Sequence, residues 1–66
     1  MAQVKMTVRM LAAMMKISIE EMARRAGIDP SHLKQVSAGN VRMTAEDLIR
    51  LSKLTGVDPE DIDYGS

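Results

Sequence analysis

Residues 18–39, SIEEMARRAGIDPSHLKQVSAG, decide the fold. Two short amphipathic patterns meet at Gly27. Ala23 lies four residues before this glycine, and Ile28, Leu33 and Val36 follow it. That spacing belongs to two helices packed at a steep angle through a turn of three or four residues, a helix-turn-helix. A side chain as small as Ala23 lets the second of these helices approach the first closely.

Working outward, start signals recur along the chain. Ser18 followed by Glu21 has the pattern of a capping box, and Thr44 followed by Asp47 repeats it with a shorter acid. Asp29-Pro30 and Asp58-Pro59 each place an N-cap before a proline, which is tolerated at the first helical position because no N–H is missed there. Thr7 is a candidate cap for a first helix. Gly27, Gly39 and Gly56 each follow a helical stretch and supply stops. Five helices are predicted, over 8–15, 19–26, 30–38, 45–54 and 59–63. Val4, Met6 and Val8 alternate, so a flexible arm is expected over 1–6, and a tail over 64–66.

Apolar spacing assigns the packed faces. Val8, Leu11, Ala12 and Met15 form one stripe, Met22, Ala23 and Ala26 a second, and Leu33 and Val36 a third. Leu48, Leu51 and Leu54, flanked by Val41, Met43 and Val57, complete the expected core, with Ile62 seating the last turn.

Sixty-six residues make one small domain. There is no cysteine, hence no disulfide or thiolate metal site, and this suits a reducing cytoplasm. No Phe or Trp is present, so methionine and aliphatic side chains must fill the interior. No apolar run approaches the roughly 20 residues of a membrane span, and the N-terminal segment lacks the layout of a signal peptide. The single histidine, His32, cannot make a zinc site alone. No nucleophile–base–acid set or glycine-rich phosphate loop is present, so neither enzymatic activity nor a cofactor is expected.

Net charge is zero, but its distribution is uneven. Residues 1–43 carry seven basic and three acidic side chains, giving +4; residues 44–66 carry two basic and six acidic, giving −4. One half suits phosphates and the other faces away from them.

From about residue 8 to residue 63, the chain resembles the Cro/CI-type (XRE-like) helix-turn-helix family of phage repressors and transcriptional regulators. Ile17 through Ile28 resembles the family's second helix and turn, Asp29 through Gly39 its recognition helix, Leu48 through Val57 its fourth helix, and Asp58-Pro59 the start of its fifth. The resemblance implies an all-α, five-helix, lambda-repressor-like DNA-binding domain covering residues 1–66. It also implies a cytoplasmic, sequence-specific regulator of double-stranded DNA, a repressor of phage or mobile-element type, that lays helix 30–38 in the major groove.

Carried onto this chain, the resemblance places Ser31, Lys34 and Gln35 at base edges, with His32 beside them. Lysine donates to guanine, glutamine pairs with adenine, and serine serves either. Phosphate contacts fall to Ser18 and Lys16 at the entry to the second helix, and to Asn40 and Arg42 in the loop after the third. A palindromic operator and a homodimer, formed at least on DNA, are implied, with Val57, Ile62 and Tyr64 as candidates for the dimer surface. Some positions depart from the family. Ile19 stands where many members have a phosphate-binding glutamine. Ser37 and Ala12 stand where many have an acid–arginine pair, and Glu20 and Asp29 put negative charge near the DNA face.

The alternative is a helix-turn-helix-fold protein-binding module of antitoxin or anti-repressor type. Met6, Met10 and Met14 recur every four residues, and Met-rich surfaces adapt to varied partners.

Overall fold

The computed structural model describes residues 5–63. Four α-helices follow one another: α1 (Val8–Met15), α2 (Ile19–Ala26), α3 (Pro30–Ala38) and α4 (Ala45–Thr55). The first three coincide with their predicted spans, and α4 runs one residue longer. The fifth expected helix is a single 3-10 turn, η1, over Pro59–Asp61. Asp58 makes no side-chain cap there, and Ile62 leaves the turn in an extended conformation. The turn goes no further because Ile62 is extended and bridged to Met6.

The caps explain the boundaries. Thr7 Oγ1 accepts from Met10 N–H, Ser18 Oγ from Glu21 N–H at 3.0 Å, and Asp29 Oδ1 from Ser31 N–H at 3.0 Å. At α4 the box is complete: Thr44 Oγ1 accepts from Asp47 N–H, and Asp47 Oδ2 accepts from Thr44 N–H. The box expected at Ser18 forms only by half, because the Glu21 carboxylate turns to Arg25 Nε at 3.0 Å. α2, α3 and α4 each end on a left-handed glycine. α1 instead ends on Lys16 at φ 59°, a strained conformation for a side chain with a Cβ.

One fully buried side chain from each α-helix, Leu11, Met22, Leu33 and Leu51, meets Ile62, the residue after η1, in the centre. Ala23 is also fully buried, where α2 and α3 pack on each other. Ala26, Leu48, Leu54, Val57 and Met15 pack against this cluster while partly exposed. Val41, expected to flank the core, is 41% exposed. The chain turns outward after Gly39, and Met43 takes the buried position instead.

Met6 is not part of a free arm. Its N–H donates to Asp61 O at 2.7 Å and its carbonyl accepts from Asp63 N–H at 2.8 Å, a parallel bridge to Ile62. Of the rest of the expected arm, Lys5 is exposed and residues 1–4 lie outside the described residues, as does the tail, 64–66 with Tyr64. Ile62 is unavailable as a dimer contact because it is fully buried.

Candidate nucleic-acid interface

Helix α3 has two unlike faces. Leu33 and Val36 are buried, while Ser31, Lys34 and Gln35 are exposed. The three polar residues sit at i, i+3 and i+4, so they share one side of the helix. The turn before α3 fixes this orientation. Gly27 adopts φ 74°, and Ile28 N–H donates back to Ala23 O at 2.8 Å. A Cβ at Gly27 would sit 2.7 Å from the Arg50 guanidinium, whose Nη1 donates to Gly27 O.

The exposed face is held by partners within the protein. Lys34 Nζ lies 3.2 Å from Glu20 Oε2 of α2. Arg24 also reaches Glu20. Lys34, and then Arg24, hold the Glu20 carboxyl below its usual range. Gln35 Oε1 accepts from Asn40 Nδ2 at 2.7 Å, and Asn40 N–H donates to Gln35 O at 3.0 Å. An amide oxygen has a second lone pair, and the Gln35 amino group keeps its donors, so the bidentate edge an adenine needs is still presented.

The phosphate candidates lie before α2 and after α3 in the chain. Ser18 caps α2, whose first-turn N–H groups form the positive end of that helix. Exposed Lys16 directly precedes Ile17 and this cap. Arg42 is exposed two residues past Asn40 and makes no hydrogen bond or ion pair among the described residues. The structure links Gln35 with Asn40 through a hydrogen bond. Among the described residues, no hydrogen bond or ion pair joins Lys16 or Arg42 to the α3 face.

His32, expected beside the base-contacting residues, has a partner within the fold. Its ring turns toward α4, where Nε2 lies 2.6 Å from Asp47 Oδ2. Asp47 is only 9% exposed. Burial pushes its carboxyl upward, but hydrogen bonds from His32 and Thr44 outweigh this and hold it below the usual carboxylate range. An ionised carboxylate only accepts, so the imidazole donates from Nε2. His32 therefore joins α3 to the start of α4, and its Nε2 is occupied within the fold.

Two of these links escape a reading of local spacing. Glu20–Lys34 spans 14 residues and His32–Asp47 spans 15. A signal for the second exists in retrospect: His32 stands four residues before buried Val36, at the margin of the inward stripe.

The turn geometry, the buried α2–α3 crossing and the polar outer face of α3 define a DNA-binding helix-turn-helix. Residues 4–62 match the family model of the Cro/C1-type HTH DNA-binding domain, and the chain belongs to that family. No curated protein and no solved structure matches it. Among the described residues, no helix is long and apolar enough to cross a membrane.

Proposed function

We propose that this chain is a sequence-specific transcriptional regulator, a cytoplasmic repressor of phage or mobile-element type. It occupies a palindromic operator as a two-fold dimer and blocks promoter access. Helix α3 lies in the major groove. Ser31, Lys34 and Gln35 read bases, while Ser18, Lys16, Asn40 and Arg42 hold phosphates. The observation that carries the reading is the polar Ser31–Lys34–Gln35 face, set opposite buried Leu33 and Val36 in a chain of the Cro/C1-type family. His32 is left out of the readout set because Asp47 holds it.

Selection of bound duplexes from a random pool tests this. A two-fold pattern is expected, with half-sites about one helical turn apart. Lys34→Ala should relax preference at one position by about 1–3 kcal/mol, and Arg42→Ala should weaken all duplexes and flatten the salt slope by about one. If no duplex is enriched at low salt, the regulator reading fails.

A second reading is favoured by one observation. Met10 and Met14 are 40% and 47% exposed on α1, whereas Met6 packs against the core. Binding led by these methionines, with a protein partner, would proceed without DNA and depend weakly on salt.

A further inference from the structure

Beside the turn, α4 and the end of α2 enclose an open groove of about 760 Å³. Its floor is Ala26, Ile49 and Leu54, and its rim is Arg25, Glu46, Arg50 and Lys53. Ile49 is 50% exposed, a large apolar side chain facing water in a chain that has few to spare. None of the proposed base- or phosphate-contacting residues lines this groove.

Glu46, Ile49, Arg50 and Lys53 are spaced at i, i+3, i+4 and i+7, so they form one stripe along α4. The stripe is acidic at its first end, apolar and cationic in the middle, and basic at its last. Under a two-fold axis through Ile49 and Arg50, an antiparallel copy of the same stripe brings Glu46 against Lys53, and Lys53 against Glu46. A two-fold interface requires a patch that complements itself in this way. An unrelated acidic partner would leave Glu46 facing like charge.

We infer that the α4 groove is the surface on which a second copy of this chain docks, antiparallel α4 to α4, with Ile49 at the axis. This names the dimer contact for the regulator reading above, and rests on that reading for its role on DNA. Glu46 already holds Arg50 Nη2 at 2.6 Å, which fixes the Arg50 guanidinium over the Gly27 carbonyl, and the Lys53 side chain makes no hydrogen bond or ion pair among the described residues. One helix and its flanks fall short of the roughly 800 Å² per partner of a stable interface. The dimer is accordingly weak in solution, and two half-sites on one duplex raise its occupancy by proximity.

Charge reversal in the full chain tests the arrangement, with sedimentation equilibrium as readout and thermal melts as the check on folding. Wild type should associate reversibly with rising concentration. Glu46→Lys alone and Lys53→Glu alone each place two like-charge pairs in the dimer, and should weaken association about tenfold or more. Mixed in equal amounts, these two variants should recover association, because each then supplies the charge the other lacks. The double variant E46K/K53E should also recover it. Ile49→Lys removes the apolar contact and sets a cation against Arg50 of the second copy, and should abolish association while the monomer stays folded.

Association that ignores all these changes overturns the inference, as does a wild type that stays monomeric and fills two half-sites without cooperativity. The DNA reading fails separately. A charge-dependent dimer that enriches no duplex leaves the α4 surface standing, and a monomer that enriches a single half-site removes only the surface.

Discussion

The two faces of α3 are built from neighbouring residues and obey different physics. Leu33 and Val36 face inward, where packing admits few alternatives. Ser31, Lys34 and Gln35 face outward, and two of them are held by exchangeable polar partners, Glu20 and Asn40. Loss of the inner set costs the fold. Change in the outer set leaves the core untouched. If α3 reads DNA as proposed, its target can change while the domain that carries it stays the same.

The largest expected effect tests the inner face. Leu33→Ala removes a fully buried side chain and should cost about 2–5 kcal/mol. A domain this small has only about 5 kcal/mol in total, so the variant should be largely unfolded at room temperature by circular dichroism. Lys34→Ala, one residue later on the outer face, should melt within about 0.5 kcal/mol of wild type. If the two variants melt alike, the division between faces is wrong.

His32 stands between these extremes, and its substitution should have an intermediate effect. His32→Ala breaks a bond to a nearly buried carboxylate, and should cost about 1–2 kcal/mol near neutral pH by denaturant titration. The Asp47 carboxyl is held below its usual range in the fold. A depressed carboxylate contributes stability that is present above its unfolded pKa and is lost as pH falls through the folded one. The gap between wild type and His32→Ala should therefore narrow below about pH 4. A gap that stays constant down to acid would mean the ring serves only as packing.

The α-helices were legible because their signals are local. Ser18, Asp29 and Thr44 cap the helices they precede, and Gly27, Gly39 and Gly56 end the helices they follow. Leu11, Met22, Leu33 and Leu51 announce themselves by period. The exposure of Ser31, Lys34 and Gln35 followed from the same period. What was not legible depends on elements distant in sequence. His32 looked like a groove residue until Asp47, 15 residues on, came beside it. The Met6–Ile62 bridge joins opposite ends of the domain and has no local signature. Lys16 ends α1 in a conformation that its side chain disfavours, so no stop signal marks it. The last turn bore the Asp-Pro pattern of a helix start, but Ile62 is drawn into the extended bridge to Met6, a contact made by a residue far off in sequence.

The smallest effect concerns the outer face alone. Glu20 occupies the lysine proposed to read a base, and places a negative charge where phosphates would approach. Glu20→Gln keeps the shape and removes the charge. An exposed ion pair contributes little to folding, so the melting temperature should hardly change. Duplex binding should tighten, and its salt dependence should steepen by about one ion as Lys34 is released toward DNA. An increase in affinity shared by all duplexes would assign Glu20 a purely repulsive role. An increase confined to sites carrying guanine opposite Lys34 would mean that Glu20 restrains base reading itself. Unchanged affinity and slope would show that Lys34 leaves Glu20 at no net cost, and that the outer face is less constrained by its internal partners than the comparison with Leu33 and Val36 requires.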